Sequence, residues 1–198
     1  MSNFTDFFPA ASGGGGGAIP KYEEFTSSGT FTPSQALIDA GGRVAYFIVG
    51  GGERGVSDQG GQGGAGGAVR MGYATLTSTT GCAVTIGAGG SGSDGANGGD
   101  TTVAFSSAGG TDITSEGGAG TGRPSRAHGS FGGKMYRGVG GTGGSAGSGV
   151  LGYGMGGSAY ENGSYYNSGK GTGQANTGDG SKGGSDAGSG FVRITWFE

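Results

Sequence analysis

Glycine returns at every third residue along Gly89-Gly90-Ser91-Gly92-Ser93-Asp94-Gly95-Ala96-Asn97-Gly98, where positions 89, 92, 95 and 98 are all glycine. The same spacing occurs in Gly60-Gly61-Gln62-Gly63-Gly64-Ala65-Gly66-Gly67, and again at Gly138, Gly141, Gly144 and Gly147. A period of three matches neither the helical repeat of about 3.6 residues nor the strand repeat of about two. It matches polyproline II geometry, with about three residues per turn and a rise of about 3.1 Å, which would stretch the first run over roughly 30 Å. Such a helix makes no internal hydrogen bonds. A glycine edge carries no Cβ, so a second backbone can come close and take up the otherwise orphaned N–H and C=O groups. Collagen shares this geometry but depends on abundant proline, and this chain has 4 prolines in 198 residues. The sequence therefore predicts bundled polyglycine II helices packed through backbone. Flexible Gly/Ser linkers are the alternative, but they have no reason to keep phase.

Composition narrows the choice further. Glycine supplies 57 residues and the apolar types only 31%, so an ordinary side-chain core is small. Ordering each backbone residue costs about 1–2 kcal/mol, which strands and glycine-edge packing must offset together. An aromatic content of 10% with only 13% charged residues argues against disorder. A net charge of −3 offers no general attraction to nucleic acid. The single Cys82 excludes an internal disulfide framework and suits a reducing cytoplasm. Beside Ala83-Val84-Thr85-Ile86 it reads as a small buried apolar residue rather than a nucleophile. No run approaches the roughly 18 apolar residues of a transmembrane helix. The N-terminus shows neither the basic n-region nor the apolar h-region of a secretory signal.

Two units are expected. Residues 1–20 hold Phe4, Phe7 and Phe8 next to Pro9, followed by the spacer Gly13–Gly17. Three phenylalanines cannot bury themselves in so short a peptide, and the glycine spacer decouples them, so they read as a plug for a partner protein. The alternative is that they fold back on the chain's own body. Residues 21–198 form the glycine-rich domain, mainly β with polyglycine II helices and essentially no α-helix. Tyr22–Thr26 and Gly29–Thr32 suggest a broken hairpin, punctuated by Ser27-Ser28 and Pro33-Ser34. Arg43–Val49 is a continuous β-branched and aromatic run that predicts a central, buried strand. Ala68–Ser78, Cys82–Ile86, Thr101–Phe105 and Phe191–Phe197 follow as further strands, the last pairing with Arg43–Val49 in one sheet. The only helical signal is a short turn at Ser34–Asp39.

Between Ser106 and Gly190 the triplets are interrupted by larger side chains. Arg126, His128, Tyr136, Arg137, Tyr153, Tyr160, Tyr165 and Tyr166 stand out. Tyr, Asn, Ser, Gly and Arg are favoured in recognition loops because tyrosine gives large contact area at low entropy cost. These residues read as receptor-binding candidates, the alternative being that the aromatics cover the ends of the glycine bundle. Motifs for chemistry are weak. Gly87–Gly92 matches GxGxxG, but no helix is predicted after it, and a dinucleotide site needs the helix N-terminus. Gly89–Asp94 fits the start of a calcium-binding nonapeptide that works only in tandem copies, with a large aliphatic where Ala96 stands. His128 is the only histidine and Cys82 the only cysteine, so no zinc site can be assembled from them. The carboxylates Glu23, Glu24, Asp94, Asp100 and Asp112 are scattered. The sequence predicts no enzyme, no cofactor and no metal.

The order of Phe25–Pro33, Tyr46–Gly52, Gly63–Val69, Cys82–Gly90, Gly98–Thr102 and Gly190–Trp196 resembles the glycine-rich domain of bacteriophage tail fibre and tail-tip proteins over residues 25–198. It is also similar to the polyglycine II sandwich adhesins of some phage fibre tips, though without their long N-terminal attachment domain. The resemblance implies a virion component, made in host cytoplasm, whose inter-helix loops meet a bacterial surface receptor, either protein or lipopolysaccharide. It implies contact with other tail proteins through the N-terminus. It also implies a homotrimer, or a single copy at a trimeric tip. A purely structural tail component, a polyglycine II ice-binding protein and a glycine-rich extracellular matrix protein are the other readings, the second opposed by the irregular loops and the third by the lack of a secretory signal.

Overall fold

The computed structural model describes residues 18–55, 64–119, 173, 175–181 and 185–198, together with the backbone of 129–130 and 136–137. In chain order the strands are β1 (Pro20–Phe25), β2 (Gly29–Phe31), β3 (Arg43–Val49), β4 (Ala68–Thr75), β5 (Cys82–Thr85), β6 (Thr101–Val103), β7 (Ile113–Ser115), β8 (Gly129–Ser130), β9 (Tyr136–Arg137) and β10 (Phe191–Phe197). A short helix, α1 (Gln35–Asp39), and a 3-10 turn at Phe105–Ala108 complete the elements. The fold is mainly β, as the strand-like runs require.

Two sheets result. The larger has the order β1-β10-β3-β4-β8, with β9 also pairing β4; the smaller has the order β2-β5-β6-β7. β3 is central, antiparallel to β10 on one side and to β4 on the other. Alternation along these strands sends Val44 and Ile48 of β3, with Val192 and Ile194 of β10, towards the second sheet. There they meet Phe31, Cys82, Val84, Val103 and Phe105 in one core. The Phe31 and Trp196 rings meet edge to face with centroids 5.3 Å apart, an arrangement aromatic quadrupoles favour. α1 seals one margin: Ser34 caps it by accepting the Leu37 N–H at 3.0 Å, and Leu37 is buried in the same core.

The glycine segments continue the strands at one pole. They leave the C-terminal ends of β3, β5 and β7 and enter the N-terminal ends of β4, β6 and β10. Antiparallel pairing places those ends together within each sheet. Beyond the pole, ladder pairing stops. Along Gly50-Gly51-Gly52-Glu53-Arg54, the amides of Gly50 and Glu53 donate to Ala68 and Ala65, those of Gly51 and Arg54 to Gly99 and Ala96, and that of Gly52 to Gly188. The carbonyls of Gly51, Gly52 and Glu53 accept from Gly118, Gly90 and Ser181. Residues three apart thus address the same neighbour, and consecutive residues address different ones. Approach is close enough that a Cβ on Gly50, Gly51 or Gly52 would lie well under 3.0 Å from the carbonyl oxygens of Glu116, Ala88 and Asp179.

Two expectations are corrected. β1 and β2 do not form a hairpin. β1 pairs with β10 in the larger sheet, and β2 pairs with β5 in the smaller one. Ser27-Ser28 therefore carries the chain from one sheet to the other. The ten-residue triplet run is also not one extended rod. It turns back between two limbs, with Gly92 at φ +79° and Gly95 at φ +70° and bonds from Ser93 N–H to Ser91 and from Ala96 N–H to Ser93. Strand ends also shift: β4 stops at Thr75, β5 at Thr85 and β6 at Val103.

Candidate functional site

Of the receptor-binding candidates, Arg126, His128, Tyr153, Tyr160, Tyr165 and Tyr166 lie outside the described residues, as do Phe4, Phe7 and Phe8. Tyr136 and Arg137 form β9, where Arg137 stands opposite Ala68 at the start of β4. The parallel strand β8 sets Gly129 opposite Val69 and Ser130 opposite Arg70. Residues 129–130 and 136–137 thus pair by backbone with β4 in the larger sheet, at the end where β4 meets the glycine layer.

That layer is held at its far side by charge. Glu53 is buried, and its Oε2 accepts the Ala65 N–H at 2.9 Å. The next side chain, Arg54, is largely enclosed; its Nη1 donates to Asp186, and its Nε stands 3.6 Å from Asp94 Oδ1. Asp94 comes from the turn after Gly92 and Asp186 from the limb entering β10, so one guanidinium ties three segments. Ser181 adds a further tie, donating to the Ser185 carbonyl and accepting the Gly55 N–H at 3.2 Å. Two carboxylates that keep contact with solvent thus offset the cost of enclosing the guanidinium.

Polar side chains also close the junction between strands and glycine layer. Thr101 Oγ1 accepts the Gly87 N–H at 3.0 Å, Ser115 Oγ donates to the Ala68 carbonyl at 2.7 Å, and Asp100 Oδ1 accepts the Gly117 N–H at 2.8 Å. Of the scattered carboxylates of the sequence, Glu24, Asp94, Asp100 and Asp112 thus have separate structural partners. Glu24 pairs with Arg193 at 2.8 Å, Asp94 with Arg54, and Asp112 takes the Ser106 N–H at 2.8 Å. Hydrogen bonding from Ser106 holds the Asp112 carboxyl below its usual range. Cys82 is buried in the core, where desolvation pushes its thiol up and away from the reactive thiolate. Among the described residues, no three His, Cys, Asp or Glu side chains gather in a group suited to a metal ion.

The stretch Gly87–Gly92 runs into the Ser91–Ala96 turn rather than a helix. The Glu53-Arg54 pair was not singled out by sequence reasoning, although a charged dipeptide inside a glycine run is the signal that could have found it. No family model matches this chain, and a search of curated proteins gave no match.

Proposed function

We propose that this chain is a bacteriophage tail fibre or tail-tip protein, non-catalytic, that presents loops to a receptor on the host surface. The observation that carries the reading is the rotation of hydrogen bonds along residues 50–54. Gly50 and Glu53 address one neighbouring segment, Gly51 and Arg54 a second, and Gly52 a third. A threefold helix without internal bonds distributes its amides in this way, which supports polyglycine II packing of the kind the adhesin resemblance implies. A β-sandwich then gives the glycine layer a rigid base, and the stretch beyond β8 and β9 supplies the recognition loops. Phe4, Phe7 and Phe8 plug into other tail proteins, and the site of action is the virion. The assembled form is a homotrimer, and many copies per virion raise weak contacts to firm attachment through effective concentration.

The test is binding of the purified chain to whole bacteria from a panel of strains. Saturable binding to one strain, lost on combined replacement of Tyr153, Tyr160, Tyr165 and Tyr166 by alanine, is the expected result. Virions that adsorb normally while carrying the same replacements would instead assign the chain a structural tail role.

A further inference from the structure

The outer face of the larger sheet carries two exposed tyrosines in one cross-strand row. In the cross-strand row that runs through β1, β10, β3 and β4, Tyr22 stands opposite Thr195, Thr195 opposite Ala45, and Ala45 opposite Tyr73. Residues directly opposite share one face of a sheet. The row therefore has a tyrosine at each end and small side chains between them. Strand spacing of about 4.8 Å puts the two tyrosines roughly 14 Å apart. Both are solvent-exposed, Tyr22 at 64% and Tyr73 at 57%.

Each tyrosine carries a guanidinium. Arg193 lies over the Tyr22 ring at 4.9 Å, and Arg43 over the Tyr73 ring at 4.4 Å. The two pairs are built alike: Arg193 sits two residues before Thr195, the partner of Tyr22, and Arg43 two residues before Ala45, the partner of Tyr73. Because β3 and β10 are antiparallel, the arginines stand at opposite corners of the small floor. Contact with a ring restrains a long side chain, so both cations are held before any ligand arrives. Glu24 engages Arg193, while among the described residues no carboxylate forms a salt bridge with Arg43.

We infer that this row is a binding trough for an acidic oligosaccharide. Tyrosine rings offer flat apolar faces and a polar tip to sugar rings, which are themselves apolar on one face and hydroxylated at the rim. Small floor residues let an extended chain lie down between them. The guanidinium fork matches carboxylate and phosphate oxygens in geometry. With two guanidiniums and one carboxylate the trough is locally cationic, on a chain whose net charge is −3. Charge complementarity therefore selects an anionic glycan over an uncharged one. The site uses none of the residues proposed for receptor contact.

The test uses the full purified chain and three probes of matched length: oligogalacturonate for carboxylates, a phosphorylated oligomannoside for phosphates, and an uncharged oligomaltoside. Calorimetry measures affinity, and amide shifts of Ala45 and Thr195 locate the ligand. Saturable binding of one or both acidic probes is expected, weakened by salt and shifting both floor amides. The double variant Tyr22→Ala with Tyr73→Ala should lose binding at least tenfold while keeping its melting temperature within a few degrees. Arg43→Gln should lower affinity for the acidic probe and erase its advantage over the uncharged one. Equal binding of all three probes, no binding of either acidic probe, or full binding by the double variant would overturn the inference. If the double variant failed to fold, the unaltered chain would decide the matter: acidic probes either shift its Ala45 and Thr195 amides, as the trough requires, or leave them in place and overturn it. A chain that fails here yet binds cells keeps the adhesin reading; one that binds acidic probes but no cells keeps only this one.

Discussion

Glycine serves two different ends within one periodic run. At Gly98 a Cβ would lie well under 3.0 Å from the Gly51 carbonyl oxygen, which is backbone and cannot step aside. At Gly92 the surroundings are open, but φ is +79°. Gly92→Ala therefore meets only the left-handed backbone penalty, roughly 1–2 kcal/mol. Gly98→Ala must push apart a pair of hydrogen-bonded segments and is expected to cost clearly more, at the level of severe overpacking, roughly 3 kcal/mol. Urea denaturation of the two variants checks this, and equal losses would contradict it. The spacing in the sequence made the glycines visible but not their separate duties, since a turn and a close approach select the same residue. Glu23 offers a second residue-scale prediction. Partial burial raises its carboxyl pKa in the fold. The folded state then binds more protons than the unfolded chain between the ordinary value, about 4.3, and the raised one. Stability from this group is present below that window and declines as pH rises through it. Glu23→Gln should accordingly raise the melting temperature at neutral pH and leave it unchanged near pH 3, where both states hold the proton, apart from effects common to all pH values. Glu198 has the opposite sign, because Lys21 and Ser34 hold its carboxyl below the usual range. Its contribution is present above the ordinary carboxylate value and fades as pH falls through the depressed one, so Glu198→Gln should flatten the acid side of the stability profile.

At the scale of elements, strands with strong alternation were legible and their partners were only partly so. Arg43–Val49 and Phe191–Phe197 could be paired from sequence because both carry long apolar faces. The supposed hairpin from Tyr22 to Thr32 could not be judged from turn residues alone. Phe25 and Phe31 both enter the core, but from different sheets, a distinction that depends on the remote strands β10 and β5. The receptor-binding candidates rest on residue type alone, and of them only Tyr136 and Arg137 lie on an element among the described residues. The trough tyrosines escaped notice for a related reason: Tyr22 and Tyr73 are 51 positions apart in the numbering (73 − 22) and meet one row only through β10 and β3. α1 supplies a test at this scale. It is too short to persist alone, so its stability comes from the Ser34 cap and from Leu37 in the core. Leu37→Ala should cost about 2–5 kcal/mol and Ser34→Ala about 1 kcal/mol, measured by denaturant unfolding. A Leu37 loss near that of the cap would mean that the helix packs only loosely against the sandwich.

For the molecule as a whole, the question is whether sandwich and glycine layer form one cooperative unit. A glycine layer has little apolar surface of its own, and glycine loses more conformational entropy on ordering than other residues. Standing alone it would melt. Here its central segment, residues 50–54, is bonded on successive sides to segments that continue β4, β5, β6, β7 and β10. Opening any one of them requires the others to separate, because each missing partner leaves enclosed N–H or C=O groups without bonds at about 1–3 kcal/mol apiece. The amides of Gly51, Gly52, Glu53 and Arg54 should therefore exchange with solvent only through global unfolding, at the same free energy as the Ile48 and Val192 amides of the core. Arg54→Met tests the coupling from the far side: it removes the tie to Asp94 and Asp186 without leaving the apolar stem empty. If the layer and sandwich are one unit, this variant lowers the exchange free energy of the layer and of the core strands together. If only residues 50–54 speed up while Ile48 and Val192 keep their protection, the glycine layer is a separate unit that opens by itself, and the sandwich is not what holds it rigid.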